Sequence, residues 1–301
     1  MGGLDPEMSG RANRRRDRAT PLGVWARRNV WLLLVLPALL TIAVVFVVPL
    51  VSLLLRSVFD PDPTVRHFQT IAETGAYVRV LINTLRIAGV LTLLSLLLGF
   101  PVAHVMANGR GWLVTALWIG VALPLFTSDL VRVYAWQLIL GRKGPLNDLI
   151  VWIGLSERPV RLLFTEGALL VGSLHILLPF TVLPLYSVMK AYDRRLTRAA
   201  HSLGASPLRS FVQVYLPLIM PGVTAAALLI FVLATGLYLT PAALGGKDNA
   251  MIAMLIELQG RQGLNWGLSS ALAVVLLVAT LIILAVYGRL VAVRRMPVEE
   301  A

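Results

Sequence analysis

Few side chains in this sequence can do chemistry, and most of them stand in or beside apolar runs. Asp129 and Arg132 lie three residues apart within the run 112–140. Ionisable groups are costly in such a setting, which makes them functional candidates. Their i, i+3 spacing puts them on one helix face. Two readings stay open: the pair neutralises itself, or Asp129 lines a path for a cationic solute. Tyr134, Trp136 and Tyr238 could offer aromatic faces to an ammonium group, or could form a belt at a water–apolar boundary. Glu257 follows a Gly-Gly turn in a short apolar run, where its carboxylate either attracts a cation or is solvated. The four histidines, His67, His104, His175 and His201, show no metal-ligand spacing. His175, inside an apolar run, reads as a packed or hydrogen-bonded residue. Cysteine is absent, so neither a disulfide nor a Cys-ligated metal is possible. The nearest approach to a phosphate-binding loop is Gly245-Gly246-Lys247. It is followed by Asp248 rather than Ser or Thr, and Pro241 occupies the position of the upstream Gly. The chain is therefore not expected to hydrolyse ATP, to bind a cofactor or to hold a metal.

The elements that must position these residues are apolar helices. The sequence is 57% hydrophobic and 14% charged, more apolar surface than a soluble domain can bury. Its apolar runs reach the ~20 residues that a bilayer core demands. The fold class expected is all-α, a polytopic membrane protein with six transmembrane helices. The expected spans are 30–55, 86–107, 112–140, 167–189, 216–244 and 267–288. The first is too long for the core of a cleaved signal, and no small-residue cleavage site follows it, so it is read as a retained helix. The net charge of +12 does not indicate nucleic acid, because the basic residues flank apolar runs; it reads first as topology. Lys and Arg concentrate in the two tails and in 190–215, whereas in 56–85, 141–166 and 245–266 acidic residues nearly cancel them. The tails and 190–215 are accordingly placed in the cytoplasm. Prolines recur within the spans, where they bend helices and free carbonyls. They serve either packing or a path that opens and closes.

One polar segment breaks the pattern: TRAAHSLGASPLRSFVQVYLPLIMPG, residues 197–222. Asp193 can cap a short helix from about Arg194 to Leu203, and Gly204 suits the left-handed residue that ends it. Ser206 and Pro207 form a fresh helix start. The new helix continues through Leu208, Phe211, Val212 and Tyr215 into the fifth span. Small Ala199 and Ala200 allow close approach of another surface. The segment is thus a hook that either docks a partner or lies on anionic lipid.

The hook resembles the coupling-loop signature of ABC importer permeases: Glu-Ala-Ala, three residues, Gly, nine residues, Ile, one residue, Leu-Pro. Ala199, Ala200, Gly204, Val214, Leu216 and Pro217 occur at that spacing. Val214 replaces the Ile, and Arg198 reverses the charge of the Glu. Over 81–107, 123–148, 178–193 and 239–259 the chain is similar to permeases of the spermidine/putrescine group. The resemblance implies the type I ABC importer bundle, with residues 80–290 as the permease core and 190–215 as its coupling loop. Residues 1–28 are then a basic cytoplasmic tail, 29–79 the first helix with a periplasmic loop, and 291–301 a second cytoplasmic tail. It also implies a bacterial inner-membrane location, a second homologous permease subunit, a pair of ABC ATPase subunits that use ATP and Mg²⁺, and a periplasmic solute-binding protein. The expected function is import of a small cation such as a polyamine. A secondary transporter or channel that works without ATPases is the alternative.

Overall fold

The computed structural model describes the backbone of residues 30–59 and 62–293 and the side chains of 35–59 and 62–289. The chain forms two compact units, Met1–Leu55 and Arg56–Ala301. The first span is helical from Val30–Ile42 and again over Val48–Arg56, joined by a π turn at Ala43–Val47. The turn closes through the Val48 N–H, which donates to the carbonyl of Ala43. Pro49 follows immediately and has no N–H to continue an i→i−4 ladder, so a wider turn takes up the register.

In the larger unit the described helices long and apolar enough to cross a membrane are Gly75–Asn108, Glu166–Ala191, Pro207–Thr235 and Trp266–Arg289. A fifth element, Trp112–Phe126 plus Asp129–Trp152, is bent by 112°. It is one broken span or a re-entrant pair. The run 112–140, read from sequence as interrupted by Pro124, Asp129 and Arg132, is thus broken at that place, and its second arm continues to Trp152. Leu123–Phe126 tightens into a 3-10 turn around Pro124, and Thr127 and Ser128 are extended. Asp129 begins the second arm, directly after the bend.

Two other expectations shift. The second span starts at Gly75, about three turns before the apolar run, because its polar first turns bind neighbours rather than water. Asn83 Nδ2 donates to the carbonyl of Ala250 at 3.0 Å, and Thr84 Oγ1 accepts the buried Ile252 N–H at 2.9 Å. Arg86 pairs with Glu166 at 2.7 Å. The fifth span starts at Pro207 and stops at Thr235, and residues 239–244 form a separate short helix. The last helix continues to Val293; the rest of both expected tails lies outside the described residues.

The second, fourth and fifth spans share one core. Ile87, Leu91, Leu177 and Ile230 fill one part of it, and Met106, Val182, Leu185 and Ile219 another. Three glycines let backbones approach. A Cβ on Gly99 would lie 2.8 Å from Thr181 Cγ2, and one on Gly222 would lie 2.5 Å from Val188 Cγ2. A Cβ on Gly172 would overlap Leu244. The fourth span thus meets a different neighbour at each of three heights, residues 172, 181 and 188. The sixth span packs separately, through Leu268, Ala271 and Leu272, against Ile71 and Ile252.

Candidate functional site

Local rules build the hook as its sequence requires. The Asp193 carboxylate accepts the Arg195 N–H at 2.9 Å, and the helix runs Arg194–Ser202. It ends with Ala205 N–H donating to the carbonyl of Ala200 and Gly204 N–H to that of His201. This paired closure needs a left-handed residue, and Gly204 has φ +85°. His201 Nδ1 donates to the carbonyl of Ala205 at 3.0 Å. The Ser206 hydroxyl accepts the Arg209 N–H at 3.3 Å, and Pro207 opens the next helix.

Three side-chain contacts tie the hook to the bundle. Arg194 Nη2 donates to the carbonyl of Ala107, at the end of the second span, at 3.0 Å. After Ser210 the helix widens into a π turn, Phe211–Tyr215, closed by the Leu216 N–H on the carbonyl of Phe211. Pro217 follows, as Pro49 follows the turn in the first span, and for the same reason. The π turn aims Tyr215 inward. Its hydroxyl is 3.1 Å from His104 Nδ1, and its ring meets His104 and Tyr192 edge-on at 5.5 and 5.0 Å. Tyr192, at the end of the fourth span, shares a 2.7 Å bond with Thr197 of the hook. The hook is therefore bonded to the ends of the second and fourth spans, and the fifth grows directly out of it.

Of the signature residues, Arg198, Ala199 and Gly204 are exposed and Ala200 is half-buried. Ala199, Ala200 and Gly204 lie away from the inner side of the hook, whereas Arg198, though exposed, shares the helix side of Arg194 and His201. Val214, Leu216 and Pro217 belong to the helix behind the hook and are not brought onto the same surface. Leu203 and Leu208 flank the turn and are 89% and 73% exposed.

The aromatic and acidic candidates do not converge. Asp129 pairs with Arg132 at 2.8 Å, the carboxylate exposed and the guanidinium buried, and Arg132 also donates to the carbonyl of Thr127. Trp136 donates its indole N–H to His175 Nδ1 at 3.0 Å and packs by Leu140, Ala168 and Leu244. His175 is thus held as a hydrogen-bonded residue between helices. Tyr134 is 63% exposed. Tyr238 precedes the helix Leu239–Leu244. Glu257 ends a helix that packs in the separate cluster of Ile71 and Leu268, with Arg261 at 3.6 Å. Sequence reasoning missed His104, Asn108, Tyr192, Arg194 and Tyr215 as a group. The signal was present: His104 and Asn108 are polar at i, i+4 in an otherwise apolar helix end.

Comparison with known proteins agrees with this architecture. Residues 12–296 match the family described as binding-protein-dependent transport system inner membrane component. The chain is 34% identical over 261 residues to the spermidine/putrescine transport system permease protein PotB of Escherichia coli (strain K12), covering 86% of this chain and 93% of that one. The PotB of Haemophilus influenzae is 36% identical over 213 residues, 71% of this chain and 74% of its own. Among solved structures, a bacterial ABC transporter involved in the import of the acidic polysaccharide alginate has a chain that superposes with a TM-score of 0.72 at 21% identity. That match covers 89% of this chain and 97% of the other. With a hook clamped to a helical bundle and a family match over nearly its whole length, the chain belongs to the binding-protein-dependent transport system inner membrane components, the permease subunits of ABC importers.

Proposed function

We propose that this permease imports a polyamine or a similarly small organic cation by alternating access, driven by two ATPase subunits that dock on the hook. The observation that carries the mechanism is the clamp: Arg194 on Ala107, Tyr215 on His104 and Tyr192 on Thr197 join the hook to three span ends. A push on a rigid short helix then becomes a tilt of the bundle rather than a local bend. A second, homologous permease completes the path, and a periplasmic solute-binding protein delivers the cation. Support for that delivery comes from the alginate transporter, solved with its oligosaccharide-bound periplasmic protein. Support for the solute class comes from the relatives, whose names specify spermidine and putrescine. The charge pattern supports cytoplasmic termini and a cytoplasmic hook.

Along the path, Asp129 keeps one carboxylate oxygen beyond its bond to Arg132, and Tyr134, Trp136 and Tyr238 supply aromatic faces. Because these groups do not form one pocket within the chain, the path needs surfaces from the second permease. The test is uptake of labelled spermidine and putrescine into proteoliposomes that hold the complete transporter. Uptake that requires both ATP and the solute-binding protein supports the reading. A solute-binding protein that takes up neither polyamine rejects the solute class, and uptake without ATPase subunits rejects the mechanism.

A further inference from the structure

Behind the hook lies a cavity of about 620 Å³ that the coupling role does not explain. One wall is the stripe Arg194, Arg198 and His201, at i, i+4 and i+7 on the hook helix; the opposite wall is aromatic, from Tyr192, Phe211 and Tyr215. The size and the mixture of apolar walls with a few polar groups are those of a small-molecule site.

Its charge is of one sign. No carboxylate lines it. Asp193, the nearest acid in sequence, caps Arg195 and lines the groove on the other side of the helix. The polar groups of the aromatic wall are already engaged, Tyr192 with Thr197 and Tyr215 with His104. Arg194 spends one N–H on Ala107, and none of the ion pairs among the described residues involves Arg194 or Arg198. Two guanidiniums one helical turn apart therefore face the cavity with donors to spare. Such forks fit the oxygens of a phosphate, each taking parallel hydrogen bonds. The aromatic wall would take the organic body attached to it.

We propose that this cavity binds a net-anionic phosphate ester, held by Arg194 and Arg198 with its carbon skeleton against Tyr192, Phe211 and Tyr215. Occupancy would bridge the hook to the ends of the second and fourth spans and so set how stiffly the hook is attached. Asn108 and Tyr192, which line the cavity, stand at the ends of two apolar helices. Two sources supply this chemistry there, the headgroup of an acidic phospholipid and a soluble phosphomonoester. The inference does not depend on which solute is carried.

The sequence lends itself to a direct test, because it has no cysteine. His201→Cys and, independently, Thr197→Cys each place one thiol in the cavity wall. The complete transporter is put into phosphatidylcholine nanodiscs, and the rate of modification by a neutral thiol reagent is read on that peptide by mass spectrometry. Mixed phosphatidylglycerol–phosphatidylcholine discs form one arm, and glycerol 3-phosphate added to phosphatidylcholine discs forms the other. Bound ester slows modification by about fivefold at four-fifths occupancy. Protection in the first arm alone identifies a lipid headgroup, and in the second alone a soluble ester. Arg198→Ala abolishes the protection, and Arg198→Lys keeps part of it. The proposal is overturned if neither arm slows either thiol, or if protection survives Arg198→Ala. It is equally overturned if both thiols are already inaccessible in phosphatidylcholine alone, since a protein group of the assembly then fills the cavity.

Discussion

Substituting Gly204 separates two properties of the hook that a single mutant would merge. An added Cβ at Gly204 meets nothing within 4 Å, so a methyl there strikes no neighbour inside this chain. The cost is in the backbone, because φ is +85°. An Ala in that region is disfavoured by about 1 kcal/mol, which lowers the population of the closed hook about fivefold if the hook opens freely. Asn tolerates the left-handed region and should cost less than Ala. Trp carries the same backbone penalty as Ala, and because Gly204 is exposed its ring is expected to turn to solvent in the isolated chain. In the assembled transporter the comparison changes. Leu203 and Leu208 stand exposed on either side of the turn, so a docked ATPase would meet a side chain at 204. The assay is ATPase stimulation by the loaded solute-binding protein, alongside retention of the ATPase on the permease. The expected order of loss is Asn, then Ala, then Trp, with a large gap between Ala and Trp. Equal behaviour of Ala and Trp in both measurements would show that nothing docks at the turn, and the lever would have to lie elsewhere. Asn faring worse than Ala would refute the backbone account.

Other outcomes follow from single contacts. Gly222→Ala forces a methyl onto Val188 and should destabilise the bundle by about 1–3 kcal/mol; Val188→Ala in the same chain should restore most of the loss in detergent thermal melts. Thr84→Val leaves the buried Ile252 N–H without its acceptor, at about 1–3 kcal/mol, whereas Thr84→Ser should melt like the parent. Arg194→Ala cuts the bond to Ala107; solute-stimulated ATPase should fall severalfold while the assembled complex is still recovered whole. Asp129→Ala leaves the buried Arg132 guanidinium without its counter-charge and should cost about 3 kcal/mol in stability, whereas Asp129→Ala with Arg132→Leu should recover most of it. A selective rise in half-saturation for cationic solute that persists in the stable double variant would show that the carboxylate also touches the path.

Much of the fold was readable because bilayer-length apolar runs and capping residues act locally. Asp193, Gly204, Ser206 and Pro207 each dictate a backbone state within a few residues, and each is found in that state. The early start of the second span has a non-local cause. Asn83 and Thr84 extend the second helix because of acceptors and donors near 250, a distance in sequence that hydropathy cannot span. The sharp bend at Thr127–Ser128 was signalled by Pro124 but not its angle, which is set by Arg132 reaching back to Thr127 and by Gln137 bonding to the carbonyl of Ala243. The clamp under the hook escaped notice because its members come from four segments of the chain, and only the π turn turns Tyr215 toward the others.

The three glycine contacts along the fourth span restrict how an importer built on this chain can move. Residues 172, 181 and 188 interlock with three separate partners over about 24 Å of helix. Interlocking at staggered depths works like teeth: sliding along the axis would jam all three at once, while rocking as a body disturbs none. The fourth helix is thus geared to its neighbours and is expected to move with them rather than slide past them like a piston.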